Sequence, residues 1–137
     1  MRVLFDSSSF AKRFIQENGS EEVDKICEQT SELGLSIICF PEIISALNRR
    51  VREKNIMRHE YVIAKQRLVD ELEDAQIIHL TSSVIATAGT LLETNILRAM
   101  DALHIACAIE WKPDLFVTSD QQQAIAAKQV RLSVKIV

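Results

Sequence analysis

Two rhythms of apolar and polar residues alternate along this chain. Five short runs are mainly apolar and rich in branched side chains: Arg2–Phe5, Leu35–Cys39, Gln76–Leu80, Leu115–Ser119 and Ser133–Val137. They read as strands. Between them the apolar positions recur at helical spacing. Ile43, Ile44, Leu47 and Val51 share one helical face, as do Tyr61, Ala64, Leu68 and Leu72 in the stretch Arg58–Glu73. The helix boundaries carry their own signals. Ser20-Glu-Glu-Val reads as an N-cap with acids in the first turn, and Gly34 as a stop. Pro41 suits a first helical turn. Thr81 opens a helix running to Glu93 with Asn95 as terminator, and a further helix spans Leu97–Trp111 until Pro113 ends it. Ser119 or Asp120 caps a last helix through Lys128.

Strands alternating with helices of this length predict parallel β-α-β crossovers. Because the strands are continuous apolar runs, both faces of the sheet should be covered. The expected class is α/β: a three-layer α/β/α sandwich around a mostly parallel five-stranded sheet. At 137 residues, with no linker or repeat, the expectation is a single domain over residues 1–137.

Composition narrows the picture. Apolar residues make up 47% of the chain, with only 3 Gly and 2 Pro, which fits a helix-rich globule. No apolar run approaches the roughly 20 residues of a membrane span. The N-terminus enters a strand directly, without a signal-peptide pattern, so the cytoplasm is the expected compartment and no membrane is implied. Cys27, Cys39 and Cys107 are widely spaced among apolar neighbours, which argues for buried thiols rather than a zinc or redox motif. The net charge of −3 is unevenly distributed: Arg49–Arg67 carries seven basic and two acidic residues, leaving the rest of the chain at −8. That asymmetry suits either a polyanion-facing arm or a solvated helix pair.

The chemistry lies in four acids at the punctuation points. Asp6 closes the first strand, Asp120 follows the fourth, Glu42 opens the helix after the second, and Asp101 heads a largely apolar helix. Ligands of open parallel sheets bind outside the carboxyl ends of the strands. Four carboxylates gathered there repel one another, raise one another's pKa, and call for a hard cation such as Mg²⁺ or Mn²⁺. Each acid also has a structural reading. Asp6 and Asp120 are natural helix caps, Glu42 is favoured by the helix dipole, and Arg98 could pair with Asp101. Thr118 and Ser119 are candidates for supporting hydrogen bonds, and Lys12 and Arg13 for phosphate contacts. His104 reads either as a base or ligand, or as a buried histidine bonded to backbone or carboxylate. Zinc-binding H-x-x-x-H spacing, a Walker loop and a G-x-G-x-x-G motif are all absent. An α/β phosphatase would want a second Asp at position 8, which is Ser.

Four segments, Phe5-Asp-Ser-Ser-Ser-Phe-Ala-Lys12, Pro41-Glu-Ile-Ile-Ser-Ala-Leu-Asn-Arg49, Met100-Asp-Ala-Leu-His-Ile-Ala-Cys-Ala108 and Val117-Thr-Ser-Asp120, together resemble PIN-domain ribonucleases. More specifically they are similar to the VapC-like toxins of toxin–antitoxin pairs. The resemblance implies a metal-dependent endoribonuclease acting on RNA phosphodiesters, with Asp6, Glu42, Asp101 and Asp120 as catalytic and metal-binding acids and one or two Mg²⁺ or Mn²⁺ ions. It also implies a cognate antitoxin and a homodimer, for which Ile56, Met57 and Tyr61 could furnish an apolar patch. Gln121-Gln122-Gln123 departs from the family pattern, in which a basic residue is common. The alternative is a catalytically silent PIN-like module that binds RNA or protein.

Overall fold

The computed structural model describes residues 1–137. Strands β1 (Arg2–Phe5), β2 (Glu32–Ser36), β3 (Gln76–Ile78), β4 (Leu115–Thr118) and β5 (Val134–Ile136) form one sheet in the order β3-β2-β1-β4-β5, every neighbouring pair parallel. Seven α-helices connect them: α1 (Ser7–Phe10), α2 (Ser20–Glu28), α3 (Cys39–Arg52), α4 (Arg58–Asp74), α5 (Ser82–Thr94), α6 (Ala99–Trp111) and α7 (Gln121–Gln129). A 3₁₀ turn, Ala11–Arg13, follows α1.

Strand pleating divides the core in two. Val3, Phe5, Leu35 and Val117 face one layer, where Phe10 of α1, Ile43 of α3 and Leu68 of α4 pack. Leu4 and Phe116, the alternate residues of the same strands, face the other layer with Val84 of α5 and Ile105 of α6. The phenylalanines Phe5, Phe10 and Phe116 are wholly buried. Each contributes about 1.5–3 kcal/mol by the usual transfer scale. Sheet faces covered on both sides account for the uninterrupted apolar strands.

The chain leaves β1 toward β2 and β3, then returns to place β4 on the opposite side of β1. This reversal makes a switch point at the carboxyl ends of β1 and β4, where an open parallel sheet leaves a crevice. Such a switch point is where ligands bind in open parallel sheets.

Most predicted elements lie within two residues of their observed limits. The exceptions are α2, expected to run to Leu33 and ending at Glu28, and β2, expected at Leu35–Cys39 and found three residues earlier. Gly34 is not a helix stop but a strand residue lying beneath Trp111. A Cβ there would come within 2.6 Å of the indole ring. The residues after Ser36 turn into α3, whose first turn holds Pro41. Ser20 likewise is not the cap of α2. Gly19, with φ of 95°, occupies that position, and the Ser20 hydroxyl reaches back to donate to Lys12 O at 2.8 Å.

Candidate active site

Asp6 stands at the end of β1 and is 2% exposed. It caps α1, and four donors saturate its carboxylate. Oδ1 accepts from the Ser9 N–H at 2.9 Å and the Ser9 hydroxyl at 2.6 Å, while Oδ2 accepts from the hydroxyls of Ser8 and Thr118, each at 2.7 Å. Ser8 and Ser9, together with Thr118, therefore supply the polar partners that a buried carboxylate needs. Of its four donors, only that of Ser8 belongs to an exposed residue.

Thr118, at the end of β4, is fully buried. Its hydroxyl supports Asp6 and accepts the N–H of Asp120 at 3.0 Å. Ser119 behaves differently from expectation. Its hydroxyl is buried without a partner and reaches none of the acids, and only its N–H makes a bond, to Ser8 Oγ at 3.3 Å. Asp120 caps α7 by accepting from the Gln123 N–H at 2.8 Å.

Asp101 lies in the first turn of α6. Burial, then the charges of Asp120 and Asp6, push its carboxyl above the ordinary aspartate range. These are the acids expected to converge with it. The Arg98 backbone opposes the rise, whereas the Arg98 side chain forms no ion pair with it. None of the four acids is paired with a lysine or arginine.

Glu42 departs from the expected pattern of raised carboxyls. Its Oε1 accepts from the Ser7 hydroxyl at 2.7 Å and lies 2.6 Å from His104 Nε2. Burial disfavours its ionised form, but the bonds from His104 and Ser7 outweigh that and hold the pKa below the ordinary glutamate range. His104 is thus a buried histidine bonded to a carboxylate, one of the two readings its position allowed.

Lys12 and Arg13 do not turn toward the crevice. The Lys12 ammonium donates to Val137 O at 2.8 Å. Arg13 is held by Asp24 at 2.9 Å and Glu71 at 2.7 Å, neutralising α2 and α4. Of the three residues expected to form an apolar patch, Ile56 and Tyr61 belong to the core and Met57 is exposed, as are Val62 and Ile63 of α4.

Sequence reasoning missed Gln123, which is entirely buried. Its Nε2 donates to Asp101 O at 3.0 Å, and its Oε1 lies 2.7 Å from the Thr118 hydroxyl oxygen, competing with Asp6 Oδ2 for that hydroxyl's single proton. It ties the heads of α6 and α7 to the end of β4. The signal was present as a glutamine in the first turn after a capping aspartate, but it read as a departure from a family pattern.

The donor set suits a hard divalent cation in kind, being carboxylate oxygens at a switch point with no lysine or arginine partner. No group of three or more carboxylate, imidazole or thiol side chains stands ready-made in ion-holding geometry. The thiols offer no alternative chemistry. Burial pushes Cys39 up to about 12 and Cys27 up to about 11. Beside Glu42 lies a cavity of about 650 Å³ whose lining includes Ile38, Ile43 and Leu47, the arginines Arg49 and Arg98, and the ion pair of Arg50 with Glu17.

With this geometry in hand, comparison with known proteins is informative. The model of the PIN domain family matches residues 3–129. The chain belongs to the PIN domain family. Two proteins of Mycobacterium tuberculosis, named Ribonuclease VapC45 and Ribonuclease VapC49, are each 29% identical over 107 residues, 78% of this chain and 74% of theirs. Among solved structures, the Sarcin-Ricin loop cleaving toxin VapC20 of M. tuberculosis superimposes with a TM-score of 0.72 at 16% identity, covering 90% of this chain and 94% of that one. VapBC-1 of nontypeable Haemophilus influenzae gives 0.70 at 12%, covering 99% and 98%. A toxin–antitoxin complex from Klebsiella pneumoniae gives 0.66 at 17%, covering 88% of each chain. These structures share the PIN fold, a parallel five-stranded sheet flanked by helices. No helix of this PIN domain is long and apolar enough to cross a membrane.

Proposed function

We propose that this PIN domain is a metal-dependent endoribonuclease and the toxin of a toxin–antitoxin pair. The observation that carries the proposal is the crevice at β1 and β4. Asp101 feels the charges of Asp120 and Asp6 there, and no lysine or arginine neutralises any of them. Repulsion of this kind is costly for folding and useful only if a cation offsets it. The relatives named as ribonucleases support the choice of RNA as substrate.

In this reading Asp6, Asp101 and Asp120 hold one or two Mg²⁺ or Mn²⁺ ions, with Glu42 beside them. Such an ion supplies Lewis acidity, making water more acidic and offsetting the charge that develops on the phosphate. The protein supplies position. Asp6 is held in place by its hydroxyl donors, and the exposed Ser8 is the donor most easily released when a stronger partner arrives. Glu42 has its pKa held low, so it is a poor proton acceptor and better suited to orienting water. No side chain need act as nucleophile, in keeping with the raised thiol pKa values.

An antitoxin partner and pairing with a second copy belong to the same proposal. The similarity to toxin–antitoxin structures supports the former. The cavity beside Glu42, lined by apolar side chains and by Arg49 and Arg98, is a natural place for a partner to dock next to that acid.

The test is cleavage of end-labelled RNA by purified protein with Mn²⁺, with EDTA, and after Mn²⁺ is restored in excess. Cleavage should follow the metal. Asp6→Asn, which keeps a competent cap, should lower cleavage by about 100-fold or more. RNA that is bound but left intact under every metal condition would favour the non-catalytic binding module instead.

A further inference from the structure

The proposed reading needs Glu42 to present an oxygen to the crevice, and the two bonds that aim its carboxylate come from outside its own helix. His104 Nε2, on α6, stands 2.6 Å from Oε1 and 3.1 Å from Ser7 Oγ. Ser7 Oγ has a single proton, which it gives to the same Oε1 at 2.7 Å. A lone pair on Nε2 would face a carboxylate oxygen at contact distance, so Nε2 carries its hydrogen and donates it. The other ring nitrogen, Nδ1, is buried and has no partner. Such an orphan is uncommon in a protein interior, and every hydrogen bond the ring makes is to Glu42 or Ser7. Glu42 Oε1 therefore takes two bonds, whereas Oε2 takes none from the protein.

We infer that His104 is a positioning residue: together with Ser7 it occupies Oε1 of Glu42 and leaves Oε2 as the oxygen that serves the cation or its water. This deepens the nuclease reading of the same site and rests on it. The two residues are 62 positions apart, and their bond links the first turn of α3 to the second turn of α6. Partners that orient acidic or imidazole ligands typically matter by roughly 10–100-fold in metal affinity or activity.

The experiment compares wild type with His104→Leu, His104→Gln and His104→Asn, each also made in a Glu42→Ala background. Mn²⁺ affinity is read by calorimetry, cleavage with labelled RNA, and folding by thermal melting. Histidine ¹⁵N spectra of the wild type report which ring nitrogen bears hydrogen. His104→Leu should weaken Mn²⁺ binding and cleavage by roughly 10–100-fold. His104→Gln, whose terminal amide N–H reaches about as far as Nε2–H, should recover most of both, and the shorter His104→Asn should not. In the Glu42→Ala background His104→Leu should add no further loss.

Hydrogen found only on Nδ1 would overturn the inference, as would a glutamine variant no better than leucine. So would an equal loss with and without Glu42. A wild type that binds Mn²⁺ but cuts no RNA would instead sink the nuclease reading, while the coupling of His104 to Glu42 would still be measured in Mn²⁺ affinity.

Discussion

Asp6 carries two demands on one carboxylate. It must be anionic for a cation to approach, and it is buried, where an unsolvated anion would cost several kcal/mol. Hydroxyls resolve the conflict, and they differ in kind. Thr118→Val should cost about 1–3 kcal/mol, because it strips a donor from Asp6 and an acceptor from the Asp120 N–H. Ser8→Ala, at an exposed residue, should cost well under half of that. Chemical denaturation of the two variants tests the contrast.

Asp101 makes a second prediction with a definite sign. Its folded pKa is raised, so its contribution to stability is present at low pH and lost as pH rises through that folded value. Glu42 works in the opposite sense. Its pKa is lowered, so its contribution is present above the ordinary glutamate range and lost as pH falls through the folded value. Asp101→Asn should therefore melt at a higher temperature than wild type at pH 7 in EDTA, with the gap closing toward pH 4. A wild type that is the more stable at pH 7 would show that the repulsion is negligible. Asp6 and Asp120 were legible in the sequence because strand ends are. The bond from His104 to Glu42 was not, because it joins two helices through a fold no local pattern encodes.

Helices and strands raise a different question, which is why β2 begins at Glu32. Gly34 answers it. Arg2 of β1 lies over the Trp111 ring at 4.1 Å and bonds to Lys112 O at 3.0 Å, which anchors the end of α6 against the sheet. The indole then rests where a side chain at position 34 would project. A glycine read from sequence alone signals a turn far more often than a close approach, which is how the strand came to be expected late. Gly34→Ala should destabilise the protein by about 1–3 kcal/mol through overpacking and shift the emission of Trp111. Unchanged stability and emission would mean that the ring moves aside freely. The long amphipathic helices α3 and α4 were readable because their apolar faces are complete. The partners of Lys12 and Arg13 were not legible, because they lie as much as 125 positions away.

At the scale of the molecule, the strand order β3-β2-β1-β4-β5 does what no single residue can. It sets the end of β1 beside the end of β4 and brings together acids up to 114 positions apart in sequence. The alternation of strands and helices made this class of fold legible, whereas the distance between acids across the crevice depends on twist and packing that the pattern does not contain. A cation bound there should stabilise the whole domain by mass action, about 2.7 kcal/mol at 100 times its dissociation constant. Asp120→Asn should remove most of that gain in a Mn²⁺ melting series. The most direct measurement is anomalous diffraction from a crystal soaked in Mn²⁺. A peak among the carboxylates of Asp6, Asp101 and Asp120, with Glu42 Oε2 facing the ion or its water, is the predicted result. Mn²⁺ bound elsewhere, with these acids turned away from one another, would contradict the account.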